Sequence, residues 1–142
     1  MPVWLAAFGV GDDGPGGSAA GVIQVAAHAL SLGIERIFLA AGPEAGWWPA
    51  DLRSPPPPLQ AFRTLTHQLD GAARITRLTR GQYRIERWDE KPRYLLWDSD
   101  GSVRLPSDLG GPLHVTTALG ETHAINGERL RLTDEPIFVA AE

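Results

Sequence analysis

The sequence predicts an α+β fold: strand, helix, strand, helix over residues 1–72, then a small antiparallel β-sandwich over residues 73–142. Three observations carry this. Two short runs, Val3–Phe8 and Arg36–Ala41, are dense enough in apolar residues to be strands buried on both faces. Each is followed by an apolar stripe at helical spacing. After Ala72 the periodicity changes to short runs punctuated by turn residues every 8–12 positions, the pattern of a small sandwich or barrel.

Taken in order, Gly9–Ser18 is a Gly/Asp/Pro loop, and Ser18 is placed to cap a helix. That helix carries Val22, Val25, Ala26, Ala29 and Leu30 on one face, and Gly33 stops it. The strand–helix–strand order predicts a parallel pair with a right-handed crossover. Gly42–Pro58 is a long loop holding Trp47, Trp48 and four successive prolines, Pro55 to Pro58. The prolines favour an extended stretch and supply the first position of the next helix. There Leu59, Phe62, Leu65 and Leu69 form the stripe and Gly71 ends it. The strands expected beyond are Ile75–Leu78, Gln82–Trp88, Arg93–Trp97, Val103–Leu105, Leu113–Thr116, Glu121–Ile125, Leu130–Leu132 and Ile137–Ala140. Turns are expected at Asp89–Pro92, Asp98–Gly101 and Gly110–Pro112, and Asn126-Gly127 reads as a two-residue hairpin turn.

Composition narrows the function. The chain has 142 residues, 43% hydrophobic and 21% charged, which excludes disorder along its whole length. Sixteen glycines and twelve prolines make it loop-rich. A net charge of −4 offers no basic field, so neither nucleic acid nor an anionic membrane surface is expected as a partner. With no cysteine, thiolate metal sites, disulfides and cysteine nucleophiles are excluded. No run approaches the ~18 apolar residues of a membrane span. The N-terminus lacks a basic lead and reads as a strand rather than a signal peptide. If the protein is exported, its signal is expected upstream of Met1.

Several motifs resemble clan-A glycoside hydrolases. Pro2-Val3-Trp4-Leu5-Ala6-Ala7-Phe8-Gly9 is similar to their seventh barrel strand, Pro-aliphatic-Trp-aliphatic-Thr-Glu-aromatic-Gly. Leu32-Gly33-Ile34-Glu35-Arg36-Ile37-Phe38 resembles the lead-in to the eighth strand. Pro58-Leu59-Gln60-Ala61-Phe62-Arg63-Thr64-Leu65 with Leu69-Asp70-Gly71-Ala72 resembles the final barrel helix. Leu95-Leu96-Trp97-Asp98, Val115-Thr116-Thr117-Ala118-Leu119-Gly120 and Leu130-Arg131-Leu132-Thr133-Asp134-Glu135-Pro136-Ile137-Phe138-Val139 resemble the β-sandwich appended to such barrels.

The resemblance implies the last two β/α units of a TIM barrel followed by that sandwich. It also implies retaining hydrolysis of a glycosidic bond in the complete enzyme. That chemistry needs two carboxyls about 5–5.5 Å apart. Here the nucleophile position is Ala7 and the preceding threonine position is Ala6, and the strand bearing the family's acid/base is not in this chain. The segment is therefore expected to be non-catalytic alone, with a polysaccharide or oligosaccharide as its partner. A whole barrel takes eight strands and about 200 residues or more. Hence a homo-oligomer, the remainder of a longer chain, or the chain's own helices must cover the open strands. A different class of reading is a carbohydrate-binding or assembly module, and another is a structural remnant that self-associates.

Candidate substrate contacts are Trp47, Trp48, Asp12 and Asp13. The tryptophans suit stacking on a sugar, or equally a plug between the two halves. Asp12, Asp13 and Glu44 follow the strands at the end where barrel enzymes keep their sites, although a solvated Gly/Asp turn is the favoured reading. Asp98-Ser99-Asp100-Gly101 starts like a calcium loop, but position twelve would be Leu109, so a hairpin turn is expected. His28, His67, His114 and His123 are scattered without metal-ligand spacing. No metal or cofactor is expected.

Overall fold

The structure is a computed structural model that describes residues 4–8, 18–39, 55–88, 90–101 and 104–142, with backbone alone for 4–8 and Leu39. The elements run β1 (Trp4–Phe8), α1 (Ala19–Ser31), β2 (Arg36–Leu39), α2 (Pro57–Leu69), β3 (Ala72–Thr79), β4 (Gln82–Arg87), β5 (Glu90–Leu96), β6 (Pro112–Thr117), β7 (Thr122–Asn126) and β8 (Ile137–Ala141). Short 3-10 turns cover Ser107–Leu109 and Gly127–Arg129.

This corrects the expected fold class. The described residues are mostly β, with two helices and a six-stranded antiparallel sheet, rather than two TIM-barrel β/α units followed by a sandwich. The sheet order is β3-β4-β5-β8-β6-β7. The last strand causes the difference. β8 pairs with β5 on one side and β6 on the other, so that Tyr94, Val139 and Val115 stand in one row. That insertion welds what would have been two sheets into one. β1 and β2 form a separate parallel pair. α1 packs on α2 and β3, instead of taking a place in an outer ring around a barrel.

A single sheet has two apolar faces to cover. On one face Tyr83, Ile85, Leu95 and Phe138 meet Val22, Ile23, Ala26 and Ala27 of α1 and Ala61 and Leu65 of α2. On the other, Tyr94, Leu96, Leu113, Val115 and Val139 are covered by loop residues Leu109 and Leu130, with Leu105 and Leu132 packed beside them. Burying each such large side chain stabilises the fold by about 1.5–3 kcal/mol. The loop leucines do the work that a second sheet would do in a sandwich. Accordingly Leu130–Leu132, expected as a strand, is irregular, and Arg104 and Leu105 belong to no strand.

The helix ends follow local chemistry. Ser18 Oγ accepts from the Gly21 N–H at 3.0 Å, and Gly33 takes φ +89° just beyond α1. Pro56 caps α2, with Pro57 at its first position. The buried stripe of α2 is Pro58, Ala61, Leu65 and Gln68, rotated from the expected one. The Asp89–Pro92 turn is largely strand, since β5 begins at Glu90. Pro92 lies where the β4–β5 register shifts, a place that tolerates its missing N–H.

Candidate functional site

Of the residues singled out from sequence, Ala7 lies in β1. Ala6 pairs with Phe38 and Phe8 with Leu39, and the register shifts between them, leaving Ala7 without a paired partner. Asp12, Asp13, Glu44, Trp47 and Trp48 lie outside the described residues. Asp98 Oδ1 accepts from the N–H groups of Asp100 (3.1 Å) and Gly101 (2.8 Å), and Gly101 takes φ +74°, so this carboxylate shapes a tight turn. His28 and His67 are exposed on their helices. His114 Nε2 lies 3.2 Å from Glu142 Oε1, and His123 Nε2 lies 4.0 Å from Glu121 Oε2, both at the surface. Among the described residues no group of three His, Asp or Glu is placed to hold a metal ion.

The side chains that do converge surround a cavity of about 350 Å³ between the start of α1, the β3–β4 turn, the end of β5 and the turn before β8. Ser18, Gln24, Arg80, Trp97, Ser99 and Asp134 line it. Each wall is fastened to the next. Gly81 has φ +72°, and a Cβ there would stand 2.2 Å from the Trp97 carbonyl oxygen; only glycine lets the turn come so close. The Trp97 N–H donates to Gly81 O at 2.9 Å, and the Asp98 N–H to Thr133 O at 2.6 Å. Gln24 Nε2 donates to Asp134 O at 3.1 Å, tying in α1.

The Trp97 ring stacks on Tyr83, with centroids 5.2 Å apart and planes 22° apart. Tyr83 is 2% exposed, and burial pushes its phenol up, opposed by Arg77. Trp97 itself is half-buried. The Arg80 guanidinium, the Ser99 hydroxyl and the Asp134 carboxylate make no hydrogen bond or ion pair among the described residues, and the two charges do not pair with each other. The cavity thus offers unpaired donors, an unpaired acceptor and an indole on turns held together through their backbone. In the sequence Trp97 and Asp134 stand only within family-like motifs, and Arg80 stands in none. An Arg-Gly turn opposite a tryptophan was the available signal.

Two other recesses differ in character. A polar groove of about 670 Å³ between α2 and the β6–β7 turn includes Gln60, Arg63, His67 and Thr116. Its hydroxyls are already engaged: Thr116 Oγ1 with Thr122 Oγ1 at 3.0 Å, and Thr64 Oγ1 with Gln60 O at 3.1 Å. A recess of about 710 Å³ beside the α1–β2 turn is walled by Leu30, Leu32, Ile34, Leu69 and Ile75. No described helix is long and apolar enough to cross a membrane. Comparison with protein-family models, curated proteins and solved structures finds no match for this chain. The functional reading rests on the residues themselves.

Proposed function

We propose that the chain is a non-catalytic, saccharide-associated segment, similar to the C-terminal part of glycoside hydrolases. The single observation that carries the non-catalytic reading is the alanine at position 7. It stands where the resembling motif needs a carboxylate, and an alanine methyl neither attacks an anomeric carbon nor stabilises the cation formed there. The saccharide association is supported by the order of the motifs along the chain and by the donor, acceptor and indole set around Trp97.

The test is hydrolysis of aryl glycosides and oligosaccharides by the full chain and by Ala7→Glu. Neither should turn over above the buffer rate, because restoring one carboxylate leaves it without an acid/base partner. Robust turnover by the wild-type chain would overturn the reading.

A second reading, self-association, is favoured by Leu32, 70% exposed at the end of α1. A large apolar side chain left on the surface promotes association with another chain. Sedimentation should then show a mass that rises with concentration, and Leu32→Glu should lower it. A concentration-independent monomer rejects this reading.

A further inference from the structure

We propose that the cavity bounded by Arg80, Trp97, Ser99 and Asp134 is a binding subsite for one neutral hexose unit of an oligosaccharide. The proposal rests on the saccharide-associated reading above and deepens it. A hexose presents vicinal hydroxyls that donate and accept at once, together with a patch of C–H surface. The Asp134 carboxylate has acceptor sites for two adjacent hydroxyls, and the Arg80 guanidinium has a planar fork of donors for the next pair. Ser99 can do either, and the Trp97 indole supplies apolar surface.

The two charges line one cavity without pairing, so both remain available to a ligand. They also cancel in sum, which suits a neutral sugar. The volume, about 350 Å³, is at the small end for ligand sites and matches a single sugar ring with its waters.

Preorganisation strengthens the case. The backbone bonds Trp97 N–H to Gly81 O and Asp98 N–H to Thr133 O hold the three turns together, and the Gln24 side chain ties α1 to the third. The ligand therefore does not have to order the loops that hold it.

The experiment is a titration of the full chain with cellobiose, laminaribiose, maltose and a digalacturonate, read by calorimetry and by the shift of the indole N–H resonances. One neutral disaccharide should bind in the millimolar range expected of a lone subsite. Arg80→Gln and Asp134→Asn should each weaken it about tenfold or more while leaving the melting temperature unchanged, since both side chains are exposed. Binding that survives both substitutions overturns this subsite and leaves the saccharide association standing. Preference for the digalacturonate overturns the neutral class. No binding by any probe overturns the subsite and the saccharide association together, while the non-catalytic reading stands or falls on the turnover assay.

Discussion

The Tyr94 phenol donates to Asp108 Oδ2 across 2.7 Å and joins the central sheet to the 3-10 turn that carries Leu109. Burial pushes the Tyr94 pKa up to about 12, helped by the hydrogen bond to Asp108 and by its charge, and opposed by Arg84. The fold favours the neutral phenol. Because the folded value is raised above the unfolded value of about 10, this contribution is complete below about pH 10 and is lost as pH rises towards about 12. It amounts to about 3 kcal/mol. Tyr94→Phe should cost about 1 kcal/mol at neutral pH, where a single hydrogen bond is lost, and should flatten much of the alkaline decline. Urea unfolding at about pH 8 and about pH 11 checks both. The chain has two tyrosines, so phenolate absorbance of the variant reports Tyr83 alone.

Gly127 has a different kind of dependence. A Cβ there would stand 1.7 Å from Leu109 O and 3.2 Å from Leu113 Cδ1. Backbone cannot yield that far without moving the loop that plugs the second core. Gly127→Ala should cost about 3 kcal/mol or more. Gly110, whose Cβ would meet open space, should accept alanine within about 0.5 kcal/mol. Thermal melts of the two variants side by side separate close approach from a general cost of replacing loop glycines.

The same glycine shows where the sequence was legible and where it was not. Signals that act within one turn of chain were readable. Ser18 caps the amide three residues on, Gly33 takes the left-handed conformation, and the prolines start α2. Asn126-Gly127 was readable only as a pair, and the hairpin reading is wrong. Asn126 is extended, with its side chain accepting from the Glu128 N–H at 3.0 Å, and Gly127 is small because of a carbonyl at position 109. The sheet failed to show for the same reason. Nothing local to Ile137–Ala141 says that it inserts between β5 and β6. The candidate site followed suit: Arg80, Trp97 and Asp134 are distant in sequence and meet through backbone bonds at Gly81 and Thr133.

Phe138 tests whether helices and sheet fold as one. It sits on β8 between Leu95 and Thr116, 1% exposed, in the core that α1 and α2 share with the sheet. Phe138→Ala should cost about 3–5 kcal/mol, from lost burial and an unfilled cavity. Since the lost contacts belong to both layers, the helical circular-dichroism signal and the Trp97 environment should still melt in one transition, at lower temperature. Two separated transitions would show that the helices and the sheet are independently stable.

Arg87 fixes the end of α2 to the sheet. Its Nε lies 2.6 Å from Glu90 Oε2, and its Nη1 donates to Asp70 O at 2.6 Å, just where the helix ends. The side chain is 12% exposed, so these bonds are shielded from water more than those of an ordinary surface pair. Arg84 and Glu86, 4.0 Å apart and both near 45% exposed, are the natural contrast. Arg87→Ala should cost about 1–3 kcal/mol and raise amide exchange in the last turn of α2. Arg84→Ala should stay within about 0.5 kcal/mol. Arg87→Lys should not rescue, because a single ammonium cannot reproduce a planar fork that holds a carboxylate with one edge and a backbone carbonyl with another. Full rescue by lysine would mean that charge alone, rather than geometry, holds this joint.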